Sequence, residues 1–371
     1  MLTAPTVEGP DTGLFRVLRD DGSADPASDP FLSKAQLASM HRHMRRLRVM
    51  EARMVVLQRQ GRVGFYGSCT GQEATPIAVG LALAPGDWVF PALRESAIML
   101  VRGFPLTSYV AQVFGNSRDL LKGRQMPSHM SGRSVNQVSW SSCIGPQIPQ
   151  AVGCAMAMQR ENKRNIAVGF SGDGATSQPD FHNAMTFAAR FRAPCLIICQ
   201  NNHWSISVPT AKQTASATIA VKGRAYGVPS VRVDGNDVLA VYVAVRDAAA
   251  RARDGGGPAF LECVTYRMGA HSTSDDPTRY RSNEEVESWA KKDPLDRLER
   301  YLRRAGLLDD AAIAAMDAEL TAEIERAIDE VEPAPPPDRT ALFDDVYAQP
   351  TWPLREQRAA LAQLPKAESP H

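Results

Sequence analysis

Gly172-Asp173-Gly174 follows the apolar, β-rich run NIAVGFS (165–171), and Asn201-Asn202 follows a second such run, CLIICQ (195–200). An aspartate and an asparagine offer hard oxygen ligands, which suit Mg²⁺ held against a diphosphate. The glycines let backbone amides come close to a phosphate. A helix starting after Gly174 would aim its positive end at the same anion. Between Gly174 and Asn201 lie 26 residues, the length of one helical crossover. That spacing puts both polar stretches at the carboxyl ends of adjacent parallel strands, where open α/β sheets bind ligands. A GDG alone is mostly a turn; the two stretches together at two strand ends are far more specific.

The elements that must position these residues alternate along the chain. A helical pattern fills 180–191, and further strand patterns fill 229–233 and 258–268, with helices near 218–225 and at 237–253. This is the pattern of an α/β fold, a parallel sheet with helices on both faces. Helices are also expected at 33–60, 94–103, 105–115, 147–161 and 309–331. The first repeats Leu37, Met40, Met44, Leu47, Met50, Met54 and Leu57 every three or four residues. Residues 1–33 read as an extended arm, 34–331 as the α/β domain with helical additions, and 332–371 as a proline linker and tail. The tail carries Phe343, Val346, Tyr347, Trp352 and Leu354, apolar enough to dock on the core or on a partner. Residues 117–146 are rich in Gly, Ser, Pro and Arg, and irregular stretches this long are usually functional.

Other features have plainer readings. Arg42, Arg45, Arg46 and Arg48 read as a solvated helix face. Thr70-Gly71-Gln72-Glu73 has the spacing of a capping box that would start the helix holding Ile77, Leu81 and Leu83. His271-Ser272 with Asp275-Asp276 lacks the separated geometry of a hydrolase triad and reads as a loop over the active site. Structural roles are expected for His129 and His182. Lys+Arg is 42 and Asp+Glu is 41 in 371 residues, which offers no field for nucleic acid or an anionic membrane. No apolar run approaches the ~20 residues of a membrane span. The six cysteines include no CxxC pair, and the N-terminus lacks a secretory pattern, so the expected compartment is reducing and cytoplasmic. A mature mitochondrial form is compatible with the same observations.

The stretch GDGATSQPDFHNAMTFAARFRAPCLIICQNNHWSIS resembles the alpha subunits of the heterotetrameric 2-oxoacid dehydrogenases, thiamine-diphosphate enzymes with GDG and NN at this spacing. KGRQMP (122–127), IGPQIPQAVG (144–153), VRVDGNDVLAVY (231–242) and YRMGAHSTSDDPTRYRS (266–282) resemble the branched-chain branch, and the likeness covers roughly 14–360. The resemblance implies a thiamine-diphosphate-binding fold and oxidative decarboxylation of branched-chain 2-oxoacids such as 3-methyl-2-oxobutanoate. The acyl group would pass to a lipoyl group on an acyltransferase partner. It implies Asp173, Asn202 and the Trp204 carbonyl as Mg²⁺ ligands. Arg94, Gly172, Gly174, Ala175, Gln200 and His271 would face the diphosphate, and Ser142 and Ile144 the rest of the cofactor. His271 would also serve proton transfer or lipoyl positioning, and Phe65, Leu93 and Ile144 would face the substrate. Ser272 matches a regulatory phosphoserine of mitochondrial relatives.

Three positions depart from the family pattern. Leu93 stands where relatives have tyrosine, and Gln200 where they have arginine. Ser141, Cys143 and Gln147 match a potassium site, but Pro146 replaces its threonine, which puts K⁺ in doubt. The family's activating glutamate normally lies on a second α/β domain, for which 371 residues leave no room. The resemblance therefore implies half an active site, completed by a beta subunit in an α2β2 assembly. Neighbouring readings are a pyruvate or acetoin dehydrogenase alpha subunit, a noncatalytic cofactor-binding scaffold, and a Mg²⁺-dependent phosphohydrolase using Asp173 as nucleophile.

Overall fold

Helix α1 (Lys34–Arg59) begins where Ser33 and Gln36 cap each other, side chain to backbone in both directions. Its buried Leu37, Met40, Met44, Leu47, Met50, Met54 and Leu57 form the expected stripe. At ~1.5–3 kcal/mol for each buried apolar side chain, this face is a main anchor of the helix. The computed structural model describes residues 13–365, so the first twelve residues of the expected arm lie outside the described residues.

The chain continues through α2 (Ala74–Ala82), β1 (Trp88–Phe90), α3 (Ala97–Val101), α4 (Leu106–Phe114) and α5 (Gln147–Arg160). Then come β2 (Ala167–Gly172), α6 (Pro179–Phe191), β3 (Cys195–Asn201) and a small hairpin, β4 (Trp204–Ser205) with β5 (Val208–Pro209). β6 (Ser230–Asp234), α7 (Val238–Arg251) and β7 (Ala259–Val264) complete the sheet, and α8 (Asn283–Ala290), α9 (Pro294–Arg304), α10 (Asp310–Val331) and α11 (Trp352–Gln363) follow. The five-stranded sheet has the order β1-β2-β3-β7-β6 and is parallel throughout.

Strand residues alternate between two cores, as a pleated backbone requires. Val168, Phe170, Leu196 and Ile198 pack with α1, α2 and α7 on one face. Ala167, Cys195, Ile197 and Cys199 pack with α5 and α6 on the other. Both faces are therefore covered by helices.

Both sheet edges are met by passing segments. Val89 of β1 is bonded to the 136–138 backbone, and β6 is bonded to Phe15, whose N–H donates to Arg232 and whose carbonyl accepts from Asp234. The arm is fixed next to Phe15 by Asp237. One of its carboxylate oxygens accepts from Val17 and Leu18, and the other caps α7 at Leu239 and Ala240.

Two plain readings are corrected. Arg42, Arg45, Arg46 and Arg48 are not a solvated face: they bond Glu319, Asp317 with Glu299, Glu323, and Glu73 with Asp293. The capping box at Thr70 does not form. Its hydroxyl donates to Glu51, while Glu73 accepts from the Gly71 amide and from Arg48, and α2 starts at Ala74. Around 218–225 a 3-10 helix (Ala220–Tyr226) stands instead of an α-helix. In the tail Val346, Tyr347 and Trp352 are exposed, while Phe343 and Leu354 are half-buried.

Candidate active site

β2 and β3 lie side by side with Gly172 opposite Gln200, so Asp173 and Asn202 leave the sheet at the same edge. β1 ends nearby and delivers Leu93 and Arg94. Beyond these strand ends lies a cavity of about 390 Å³. Its lining includes Phe65, Leu93, Arg94, Ser142, Ile144, Gly172, Asp173, Gly174, Ala175, Gln200, Asn202, Trp204 and His271. All the residues singled out from sequence for thiamine diphosphate, Mg²⁺ and substrate thus share one cavity.

The turn after β2 is shaped by sterics. Gly172 lines the cavity with open space around its missing Cβ. A Cβ on Gly174 would lie 2.3 Å from the Ser205 Oγ, so the β4 hairpin by itself already favours glycine there. A short 3-10 turn (Asp173–Ser177) follows, and α6 starts only at Pro179. The helix expected at 180–191 is thus α6, separated from Gly174 by the rest of the 3-10 turn.

Asp173 is 2% exposed, and its Oδ2 accepts from the Gln213 side chain at 2.6 Å and the Thr210 hydroxyl at 3.0 Å. Burial pushes its carboxyl pKa upward, against the hydrogen bonds that favour ionisation. Asn202 donates to Gln72 at 3.0 Å and accepts the Trp204 amide at 3.2 Å. Gln72 was not anticipated; it fixes the Asn202 amide from a turn with no chemical signature.

On the facing wall, Arg94 is 6% exposed and donates to the carbonyls of Ser68 and His271, and to the His271 Nδ1 at 3.4 Å. Burial and the Arg94 and Arg267 guanidinia push the His271 pKa down to about 4. The ring is therefore neutral near pH 7. With Nδ1 accepting from Arg94, its proton sits on Nε2. The Asp275 carboxylate accepts the His271 backbone N–H at 2.7 Å and the Tyr280 hydroxyl at 2.5 Å, and Ser272 accepts from the Ser274 amide. No Ser-His-Asp relay links these residues.

His129, expected to be structural, lines the cavity. Its Nε2 meets the Ser142 hydroxyl at 2.5 Å, its Nδ1 faces the Pro127 carbonyl, and its ring lies 3.9 Å from that of Trp140. The pairing orients Ser142 from within the irregular 117–146 stretch. His182 lies away from the cavity and bonds the Tyr226 hydroxyl.

The residues present fit a Mg²⁺-diphosphate group. Asp173, the Asn202 amide and the Trp204 carbonyl, which also accepts from Arg267 at 3.4 Å, would offer hard oxygen donors, too few for a protein-only cage. Mg²⁺ is commonly held by one or two carboxylates together with phosphate oxygens. Among the described residues, the Gln72 Nε2 donor, beside Asn202 in the lining, is buried without a hydrogen-bond partner, and an anion's oxygen would complete it. Buried amide groups left unpaired are rare unless something else completes them. Of the potassium-site positions, Gln147 donates to the Phe170 carbonyl at 2.9 Å, while Ser141 and Cys143 are exposed.

The dehydrogenase E1 component family matches residues 41–340. The chain is 41% identical over 351 residues to 2-oxoisovalerate dehydrogenase subunit alpha 2, mitochondrial, of Arabidopsis thaliana, covering 94% of this chain and 74% of that protein. It is 39% identical over 352 residues to the mitochondrial 2-oxoisovalerate dehydrogenase subunit alpha of Homo sapiens, covering 94% and 79%. It is 41% identical over 355 residues to 2-oxoisovalerate dehydrogenase subunit alpha of Pseudomonas aeruginosa, covering 94% and 87%.

Proposed function

The chain belongs to the dehydrogenase E1 component family, and from that premise we infer that it is the alpha subunit of a branched-chain 2-oxoacid dehydrogenase. Its reaction is the oxidative decarboxylation of 3-methyl-2-oxobutanoate and its branched homologues. The observation that carries this reading is the single cavity that gathers Arg94, Asp173, Asn202 and His271 beside Phe65, Leu93 and Ile144.

Thiamine diphosphate, when bound, supplies the electron sink that loss of carbon dioxide requires. The chain's own residues bind and orient. Asp173, Asn202 and the Trp204 carbonyl would hold Mg²⁺ against the diphosphate. The Arg94 guanidinium would offset the remaining negative charge. His271 would present a neutral Nε2–H to the reacting end of the site, positioned for proton transfer. Phe65, Leu93 and Ile144 would keep water from the branched side chain.

As the alpha subunit of an E1 component, the chain works with a beta subunit within a multienzyme complex. An α2β2 assembly, with acyl transfer to a lipoyl group on an acyltransferase, extends that reading. It is supported by exposed Met126, Ile144 and Ile206 in the cavity lining, apolar surface suited to a covering subunit. The carboxylates in the lining are Asp173, assigned to the metal, and Glu95, already bonded to Gln200 and Ala92. The glutamate that activates the cofactor is thus left to the beta subunit. The unpaired thiols among the described residues support a reducing compartment.

Reconstitution tests the reading. The lone chain should not turn over 2-oxoacids, and adding the beta subunit should give turnover with an artificial electron acceptor. A hydrophobic pocket discriminates by about 10–200-fold per methylene, so kcat/KM should favour 3-methyl-2-oxobutanoate over pyruvate by at least about tenfold. Equal constants, or a preference for pyruvate, would reject the branched-chain assignment.

A further inference from the structure

Gln200 and Glu95 meet in the cavity wall, each 2% exposed. The Gln200 Nε2 donates to one Glu95 carboxylate oxygen, and the other accepts the Ala92 amide at 2.7 Å. The Gln200 Oε1 is buried and has no hydrogen-bond partner among the described residues. The neighbouring Arg94 turns to Ser68 and His271, so no cation contacts the Glu95 carboxylate among the described residues.

A carboxamide keeps nearly the same shape when its oxygen and nitrogen exchange places. With Glu95 ionised, the amide must turn its NH₂ toward Glu95, and an acceptor oxygen faces the other way. With Glu95 protonated, its O–H donates to the amide oxygen, and the NH₂ faces the other way. A diphosphate accepts hydrogen bonds and donates none, so it favours the second arrangement.

We propose that Glu95 is a proton-dependent positioning residue: it takes up a proton from solvent as an anionic diphosphate enters, and so turns the Gln200 amide to donate to that anion. The proposal rests on the thiamine-diphosphate reading of the cavity. Burial raises the Glu95 pKa to about 7, which leaves it free to change state near neutral pH. The other ionisable groups around it are Arg94 alongside, Cys69 and Glu51 beyond that arginine, and His271 and Asp173 in the cavity lining.

Calorimetry of thiamine diphosphate with Mg²⁺ binding to the assembled α2β2 enzyme, run in buffers of different ionisation heat, counts the protons. Glu95→Gln keeps hydrogen bonds toward both Ala92 and Gln200 but cannot titrate. At pH 8 the wild type should take up ~0.9 proton per site more than Glu95→Gln. Between pH 6 and 8 its affinity should fall by about tenfold relative to that variant. Gln200→Leu should bind the cofactor more weakly and lose the extra proton uptake. Equal proton counts in wild type and Glu95→Gln would overturn the proposal, as would full uptake retained in Gln200→Leu. A wild type that binds no thiamine diphosphate would instead overturn the cofactor reading itself, and the coupling with it.

Discussion

Arg42, Arg45, Arg46 and Arg53 reach from α1 to Glu319, Asp317, Glu323 and Glu325 on α10, whereas Arg94, at 6% exposed, meets only two carbonyls and an imidazole. The first group sits half-buried with its counterions, and its charge is used to hold two helices together. Arg94 is deeper and, among the described residues, forms no ion pair with a carboxylate, a state that costs free energy unless something anionic completes it. The contrast separates charge that is finished within the chain from charge kept for a ligand.

Substitutions can break that contrast, starting with the largest effect. Asp173→Ala should abolish Mg²⁺-dependent cofactor binding. Changing a residue that only orients a metal's ligands costs about 10–100-fold, so losing a ligand itself should show as a loss of at least about 100-fold by calorimetry on the assembled enzyme. Unchanged affinity would remove Asp173 from the site. Arg94→Ala should weaken thiamine diphosphate binding by about 10–100-fold, the range for a hydrogen bond to a charged group. Arg94→Lys should recover part of it.

A pH series sharpens the same contrast. His43 on α1 has its pKa lowered to about 4 by burial, Arg46 and Arg42; His271 is lowered to about 4 by burial, Arg94 and Arg267. The unfolded chain protonates such rings below about 6.5. Stability should therefore fall as pH drops from about 6.5 to 4. Thermal melts of His43→Gln should show a shallower acid loss with cofactor affinity unchanged. His271→Gln should also flatten the acid limb but lower turnover. The smallest effect is expected at Arg46→Ala: a partly exposed ion pair is worth up to about 1 kcal/mol, so the Tm should fall by less than about 4 °C with kinetics unaltered.

Much of the site was legible in the sequence because it sits where periodicity ends. The apolar runs of β2 and β3 mark their own ends, and parallel pairing then brings Asp173 and Asn202 together. β1 was missed because three residues, Trp88–Phe90, carry no period. Arg42, Arg45 and Arg46 of α1 read as solvated in sequence because their partners on α10 are more than 250 residues away. Thr70 and Glu73 have the spacing of a cap, but Glu51 and Arg48 claim them through tertiary contacts. The His129–Ser142 pair depends on the path of an irregular stretch, which no local pattern encodes.

The passing segments at the two sheet edges bear on how the protein behaves in a crowded solution. β1 and β6 would otherwise present open rows of amides and carbonyls, templates on which another polypeptide could build. Phe15 closes part of β6, and Asp237 ties the neighbouring Val17 and Leu18 in place. A chain shortened past residue 18 would lose this guard while keeping its strands and its cavity. Its failure would appear first as fibrillar or amorphous self-association, with catalytic competence of the remaining monodisperse fraction intact. Arm residues far from any chemistry would then decide shelf life.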